Sequence, residues 1–276
     1  MSALISYMED ATKLAHNAWY MSPDQYSPQK GWWMQPIVPA VGVTAYILAK
    51  PLLVVLCKQL GTTGKSYPFF LFVVLHNFLL LSFSAMVWYE SWAVVYDSYT
   101  NKGMMSTYCD YAIGEQYMWK AGMGRLGFLF YLSKYYEFLD TAILIVKQKK
   151  VSLLQSYHHA GAVLVMWGLC YTEASVVVAF VGLNSAIHTA MYFYYLLSAC
   201  GIRLPGKSNI TTAQIIQFFI GIFVTLRMFF MGEACQRNDQ LIALAVAHAY
   251  VVPLIALFAN FYIKSYKPVD SKKKIT

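Results

Sequence analysis

Charged residues are scarce in this chain. Only 12% of its 276 residues are Asp, Glu, Lys or Arg, whereas 58% are hydrophobic. An average soluble domain has about twice that charged fraction, so the composition excludes an ordinary soluble fold. Acidic residues are the rarer sign, with 13 Asp and Glu against 21 Lys and Arg, which gives a net charge of +8. This predicts an all-α integral membrane protein whose basic side suits anionic lipid heads or a phosphorylated substrate.

Histidine is also too scarce for one class of membrane enzyme. The chain has six histidines, and His16, His76 and His248 each stand alone. Membrane di-iron desaturases and hydroxylases need three histidine boxes, which these six residues cannot supply. A single metal on His158, His159 and His188 stays open as a minor alternative, because adjacent histidines are hard to aim at one ion. We therefore expect no metal.

Seven apolar stretches are long enough to cross a hydrocarbon core of ~30 Å. We expect no cleavable signal peptide before them, because Glu9, Asp10 and Lys13 interrupt the first residues. The sequence predicts an N-terminal segment (1–34), one seven-span domain (35–263) and a basic tail (264–276), without repeats. Residues 91–125 form the longest predicted loop. The predicted spans are 35–57, 68–90, 126–146, 152–171, 174–199, 211–231 and 240–263.

The distribution of basic residues predicts the orientation. Lys and Arg concentrate in the tail and in alternate loops, which places the N-terminus in the lumen and the C-terminus in the cytosol. Near the end of the chain, Lys273 and Lys274 match a dilysine signal for retrieval to the endoplasmic reticulum. Five cysteines form no disulfide framework, but Cys109 and Cys235 both fall in predicted lumenal loops, where we expect a bridge.

Polar side chains recur inside the predicted spans. His76 and Asn77 in span two are predicted to bond a neighbouring helix, whereas the others converge. Helical periodicity and the predicted topology place polar residues of spans three to six in one layer, in the cytosolic half of the membrane. Buried ionisable groups of this kind are functional candidates. The layer contains Lys134, Glu137, Asp140, Thr141, Gln155, His158, His159, Asn184, His188, Met191, Tyr192, Tyr195, Thr211, Gln214 and Gln217.

Structural roles remain open for several of these residues. Lys134 and Glu137 are spaced as a helix-supporting ion pair, and Gln214 and Gln217 could be interhelical hydrogen-bond partners. The tyrosines suit packing. Three imidazoles at one depth favour chemistry instead, because imidazole can attack an activated acyl group and can transfer protons.

Four motifs, in order and spacing, resemble the ELO family, the elongases of very-long-chain fatty acids. The resemblance is specific over residues 126–217 and implies an acyltransferase of the endoplasmic reticulum. Such an enzyme condenses acyl-CoA with malonyl-CoA to give 3-ketoacyl-CoA, CO2 and CoA. It implies spans two to seven ringed around an acyl-chain tunnel, with span one outside. The motifs are Lys134-Tyr-Tyr-Glu137-Phe-Leu-Asp140-Thr141, Gln155-Ser-Tyr-His158-His159, His188-Thr-Ala-Met191-Tyr192-Phe-Tyr194-Tyr195 and Thr211-Thr-Ala-Gln214-Ile-Ile-Gln217.

One position departs from the family pattern. The histidine box opens with Gln155, as in plant and protist elongases of polyunsaturated chains, so we expect a C18 to C20 polyunsaturated substrate. Gln155 cannot titrate, so His158 is the predicted nucleophile and His188 the second catalytic imidazole. His159, Gln155 and the remaining layer residues would orient the substrate. Lys147, Lys149, Lys150, Arg203 and Lys207 would bind the CoA phosphates.

Other functions stay open alongside this prediction. A saturated or monounsaturated acyl chain is the first alternative substrate. A proton-coupled transporter would also bury ionisable groups, but usually with repeats or broken helices, and a seven-span receptor would share the topology. The resemblance implies ketoreductase, dehydratase and enoyl reductase partners, because no nicotinamide site is present. Membrane lipids are expected contacts, nucleic acid is not, and a homodimer stays open.

Overall fold

A computed structural model describes residues 31–202 and 204–266. The predictions for residues 1–30, Arg203 and the tail from 267 onward, including the dilysine pair, lie outside these ranges. Single 3₁₀ turns occur at Trp32–Met34 and Gly232–Ala234, and a π-helical turn at Trp119–Met123. The α-helices are α1 (Ile37–Gln59), α2 (Tyr67–Lys102), α3 (Met104–Tyr108), α4 (Gly124–Tyr136), α5 (Phe138–Val146), α6 (Leu153–Tyr171), α7 (Val177–Ala199), α8 (Lys207–Met231) and α9 (Asn238–Tyr266).

The structure is an all-helical multi-pass membrane protein. Among the described residues, five segments are long and apolar enough to cross a membrane: α1, α2, α7, Lys207–Ala234 and α9. The predicted spans 126–146 and 152–171 do not meet these criteria. The first is divided at Glu137 into α4 and α5. The second corresponds to α6, which is 19 residues long but contains Gln155, His158 and His159, which lower its mean hydropathy.

The helices pack in a closed series around a common core. α2 packs along α7, α7 against α8, α8 against α9, α9 against α6, and α6 against α4, which contacts both α2 and α7. α1 lies outside this series, against α5 and α6. The core between the helices is fully buried and includes Leu126, Val163, Leu169, Val177 and Leu244. Many apolar side chains on the outer faces are exposed, as lipid contact requires.

Two local features set the register of the polar residues. Ser152 is the N-cap of α6, where its Oγ accepts a hydrogen bond from the Gln155 backbone N at 3.1 Å. The cap fixes which face of α6 carries His158 and His159. At Glu137, α4 ends and α5 begins, so the helix axis is interrupted beside two buried charged groups.

The opposite end of the bundle from the polar layer is held by a disulfide and a buried carboxylate. Cys109 and Cys235 are bonded across a sequence separation of 126 residues. Asp110, with 0% of its surface exposed, accepts hydrogen bonds from the backbone N of Met118 and Trp119 and from Ser175 Oγ. We call residues 103–123, 172–176 and 232–237 the disulfide end. The loop prediction for 91–125 was wrong at its start, because α2 continues to Lys102.

Candidate active site

A buried ion pair lies at the break between α4 and α5. Lys134 Nζ donates to Glu137 Oε1 at 2.6 Å, and each side chain is only 3% exposed. The ammonium group also lies 3.7 Å from the centroid of the Phe130 ring. His188 Nδ1 is 3.8 Å from the same Glu137 oxygen and has no hydrogen-bond partner among the described residues. The ion pair left open by the sequence is therefore present, and it faces a catalytic candidate.

Asp140 connects three helices. Its Oδ1 lies 2.8 Å from His76 Nε2 on α2, and its Oδ2 accepts a hydrogen bond from Tyr192 OH on α7 at 2.9 Å. The prediction of a bond to a neighbouring helix is therefore confirmed for His76, whereas it was wrong for Asn77, whose Nδ2 donates to Val73 O within α2. Both Asp140 oxygens are engaged, so this carboxylate holds α2, α5 and α7 in register.

Gln155 bonds the second histidine of its motif. Gln155 Nε2 lies 2.7 Å from His159 Nε2 and 3.3 Å from Thr141 Oγ1. Thr141 Oγ1 in turn lies 3.0 Å from Tyr46 OH on α1. An amide nitrogen can only donate, so His159 Nε2 accepts and its lone pair is occupied. Gln155 thus engages the Nε2 atom of His159.

His158 has a different environment. Its Nδ1 lies 3.1 Å from Tyr250 OH, and Tyr250 OH donates to the His158 backbone O at 2.9 Å. Among the described residues, nothing hydrogen-bonds His158 Nε2. His158 also lines the cavity enclosed by the bundle. His158 is thus a cavity-lining imidazole with one ring nitrogen that bonds no described residue.

The cavity joins the polar layer to an apolar interior. Lys134, His158, Asn184 and Gln217 line its wall from α4, α6, α7 and α8, so the four predicted helices do converge. α9 adds a fifth wall, on which the sequence had placed no residue of the polar layer. Apolar side chains line most of the remaining surface: Phe130, Ala162, Val165, Met166, Ala179, Phe180, Leu183, Phe218, Ile222, Val251 and Leu254.

Other predicted site residues lie outside the cavity lining. Met191 Sδ accepts a hydrogen bond from Gln214 Nε2 at 3.5 Å, which is an interhelical contact between α7 and α8. Tyr195 is 40% exposed, and Thr211 is buried in α8. Among the predicted CoA ligands, Lys149, Lys150 and Lys207 are exposed and Lys147 is half-buried.

Four polar residues near the site were missed by sequence reasoning. Tyr46 and Tyr250 stand alone in apolar runs, where a tyrosine usually packs. Lys50 Nζ donates to Ser156 Oγ at 2.8 Å. His248 lines the cavity and bonds Thr225 Oγ1 through Nε2 at 2.8 Å. The sequence could have pointed to Lys50 and His248 as functional candidates, since both are ionisable residues inside predicted spans.

Taken together, the helices and the site define a multi-pass membrane protein with a histidine centre buried beside an apolar cavity. In the part of the chain that the structure describes, no group of three or more His, Cys, Asp or Glu could hold a metal ion. The polar groups at this centre are imidazoles, amides and one ion pair. This is a set suited to acyl transfer.

Comparison with known proteins identifies the family. Residues 32–274 match the ELO family, described as the GNS1/SUR4 family, so this chain belongs to it. The protein is an ELO-family elongase, a 3-ketoacyl-CoA synthase that acts in fatty acid elongation. Family membership implies acyl-CoA and malonyl-CoA as its substrates.

Similar relatives come from an amoeba, a nematode and a yeast. The chain is 35% identical to fatty acid elongase sre1 of Dictyostelium discoideum over 204 residues, covering 71% of this chain and 72% of the relative. It is 30% identical to long chain fatty acid elongase 1 of Caenorhabditis elegans over 207 residues, 72% and 69% of the two chains. It is 29% identical to putative fatty acid elongase 1 of Schizosaccharomyces pombe over 269 residues, 92% and 77% of the two chains.

Proposed function

We propose that the protein condenses a polyunsaturated acyl-CoA of C18 to C20 with malonyl-CoA through an acyl-enzyme on His158. The observation that carries this assignment is the contrast between the two adjacent histidines. His159 Nε2 is bonded to Gln155, whereas His158 lines the cavity and its Nε2 has no partner among the described residues. A nucleophile needs an accessible lone pair, and His158 has one.

The reaction divides into two balanced steps. His158 Nε2 attacks the thioester carbon, a C–N bond forms, the C–S bond breaks, and CoA leaves as thiolate. Malonyl-CoA then loses CO2, and the resulting enolate carbon attacks the acyl carbon. The C–N bond breaks, its electron pair returns to Nε2, and 3-ketoacyl-CoA is released. The CoA thiolate takes one proton from water, and neutral His158 is regenerated.

His188 and the ion pair would support the second step. Decarboxylation places negative charge on the enolate oxygen, and a preorganised donor there lowers the barrier. Lys134, Asn184 and Gln217 line the same cavity and supply N–H donors. Lys134 bonded to Glu137 is held beside His188. We propose His188 as the second catalytic imidazole, with Glu137, Asp140 and Thr141 orienting their neighbours.

The path of the substrate follows from the walls of the cavity. We propose that α4 with α5, and α6, complete the membrane crossings to seven, because they pack inside the closed series of helices. The cavity would then be part of an acyl-chain tunnel. CoA would lie at the end that carries Lys147, Lys149, Lys150 and Lys207, together with Arg203, as point charges for its phosphates.

His248 supports an unsaturated chain. It bonds Thr225, which is eight residues beyond Gln217 on α8, or about 12 Å along the axis at ~1.5 Å per residue. The imidazole therefore faces the middle of an acyl chain whose thioester lies at His158. A half-buried aromatic ring there contacts flat, polarisable double bonds better than methylene groups. Gln155 supports the same substrate class through the resemblance described above.

The location follows from the same family and from charge. We propose the endoplasmic reticulum membrane, with the N-terminus and the disulfide end in the lumen and the basic end in the cytosol. Lumenal conditions favour the Cys109–Cys235 bond. A ketoreductase, a dehydratase and an enoyl reductase would complete the elongation cycle. Reduction should change the intact protein's mass, and the change should be absent in Cys109→Ser.

The test is a fatty-acid profile of yeast expressing the chain and fed C18 or C20 polyunsaturated acids separately. We expect a new acid two carbons longer, lost in His158→Ala. The adjacent His159→Ala should retain part of the activity. Elongation of saturated or monounsaturated chains alone would establish the alternative substrate class. Substantial activity in His158→Ala, with loss in His159→Ala, would reverse the assignment of the nucleophile.

A further inference from the structure

Tyr250 contacts α6, the helix that carries His158, through three interactions. Its hydroxyl bonds both Nδ1 and the backbone O of His158. Its ring stacks on Tyr157 at 5.3 Å with an interplanar angle of 22°, and Tyr157 OH donates to the Tyr250 backbone O at 3.1 Å. A tyrosine used only for packing does not need its hydroxyl directed at a histidine.

Gly161 makes this approach possible. A Cβ placed on Gly161 would lie 2.1 Å from Tyr250 Cε2 and 2.5 Å from Cδ2. Any other residue would push the ring away from α6. The α6 residues Tyr157, His158 and Gly161 thus all contact one side chain on α9, a partner 92 residues from His158 in sequence.

The hydrogen bonds decide which imidazole nitrogen carries the proton. A phenol has one proton to donate, and a backbone oxygen can only accept. Tyr250 therefore donates to the His158 backbone O, and its oxygen must accept from His158 Nδ1. In neutral imidazole the second nitrogen is then unprotonated. Nε2 of His158, a residue that lines the cavity, then has the free lone pair.

We propose that Tyr250 is a positioning residue that holds His158 in the Nδ1-protonated tautomer. This inference rests on the proposed role of His158 as nucleophile. When Nε2 is acylated, the imidazole becomes a cation, and its Nδ1–H then forms a charge-assisted bond to Tyr250, which is stronger than the neutral one. The Tyr250 contact thus favours the acyl-enzyme over the resting enzyme. The proton stays on Nδ1 throughout, and the C–N bond forms and breaks only at Nε2.

The first experiment replaces Tyr250 by Phe in the purified full-length enzyme. We expect acyl-enzyme formation and kcat to fall about 10- to 100-fold, less than the ~10⁴ seen when a carboxylate that orients a catalytic histidine is removed. The ratio kcat/KM for malonyl-CoA should stay the same, because malonyl-CoA reacts only with the acyl-enzyme already formed. The matched control is Tyr262→Phe on the same helix, which should behave as wild type. Gly161→Ala should slow acylation too, and adding it to Tyr250→Phe should cost little more, because both remove one contact.

The second experiment observes the wild-type enzyme and uses a variant only to assign the signal. In wild-type enzyme labelled with ¹⁵N-histidine, the resonance that disappears in His158→Ala should show protonated Nδ1 and unprotonated Nε2. A protonated Nε2 in wild type, or unchanged acylation by Tyr250→Phe, would overturn the role of Tyr250. Elongation retained by His158→Ala would instead overturn the nucleophile itself. The two failures are therefore distinguishable.

Discussion

The polar layer and the disulfide end both bury polar groups, but they satisfy them differently. At the disulfide end, both Asp110 oxygens accept hydrogen bonds, from two backbone amides and a serine. In the polar layer, His188 Nδ1 has no partner among the described residues, and His158, whose Nε2 bonds none of them either, lines a cavity. Buried groups without partners are costly. We infer that the disulfide end uses its polar groups for stability, whereas the polar layer leaves them available to substrate.

The largest effect should come from removing the charges of the Lys134–Glu137 pair, first one at a time and then together. Lys134→Met or Glu137→Met alone leaves a buried charge unpaired, and we expect a loss of about 3–5 kcal/mol of unfolding free energy. The double variant should regain most of that stability. Thermal unfolding in detergent measures both. The double variant should still be inactive in condensation, because the donor beside His188 is gone.

Recovery of activity together with stability in the double variant would show that the ion pair is structural only. Phe130→Leu serves as a control for the environment of Lys134, since it removes the ring contact but keeps both charges.

Asp110→Asn should affect stability without affecting chemistry. The substituted amide places an NH2 group where a carboxylate oxygen accepts, so one backbone or serine donor loses its partner. We expect a loss of about 1–3 kcal/mol, with unchanged kcat per folded molecule. Melting temperature and specific activity are measured on the same preparation. A lower kcat in fully folded Asp110→Asn would show that the disulfide end also affects the chemistry. The distinction between the two regions would then not hold.

The pH dependence of stability, compared between wild type and Asp110→Asn, tests this prediction further. Burial raises the pKa of Asp110 above its ordinary value, while the hydrogen bonds from Ser175, Met118 and Trp119 oppose the rise. The folded state thus holds this proton more tightly than the unfolded state. Its contribution to stability is complete below the ordinary pKa and is lost as pH rises through the raised value. Melts from about pH 4 upward should show wild type losing stability relative to Asp110→Asn.

His248 lies on the cavity wall between the two regions. His248→Leu should change the ratio of polyunsaturated to saturated substrate turnover by up to roughly fivefold, because weak contacts to π-systems are worth about 1 kcal/mol or less. Competition between two acyl-CoAs of equal length in one reaction measures the ratio directly. Val251→Leu, which enlarges an apolar lining residue, is the control for cavity volume. An unchanged ratio would remove His248 from substrate selection.

Gln236 is the exception at the disulfide end, and it gives the smallest expected effect. It is 1% exposed, and both side-chain amide atoms lack partners among the described residues. Gln236→Leu should be neutral or raise stability by up to about 1 kcal/mol, because two unsatisfied polar atoms are replaced by apolar ones. Thermal unfolding of Gln236→Leu and wild type measures this difference in stability. A clear loss of stability would show that Gln236 has a binding role, and the comparison between the regions would fail there.

Helix periodicity predicted that polar residues of four helices converge, and four of the fifteen residues named, Lys134, His158, Asn184 and Gln217, line one cavity. Periodicity works there because each residue shares a helix face with other polar residues. It could not predict the division at Glu137, because the surrounding apolar run continues across it. The sequence interpretation therefore treated α4 and α5 as one span.

Tyr250 shows the second limit. It lies in an apolar run on α9, and its role depends on Gly161 and His158, about 90 residues away. A tyrosine and a glycine carry little information separately, and only the packing of α9 on α6 brings them together. Contacts of this kind depend on tertiary structure, which local sequence patterns do not encode.

The length of α2 has a consequence for how the protein sits in a bilayer. Its 36 residues extend about 54 Å at ~1.5 Å per residue, whereas a hydrocarbon core is ~30 Å thick. One end must therefore stand in water, and it is the end that carries Asp97 and Lys102, both in contact with Tyr117. Tyr117, in the disulfide end, thus packs against the projecting end of α2. More of the protein therefore lies outside the membrane on this side. Proteases or thiol reagents added to that side would reach the disulfide end first.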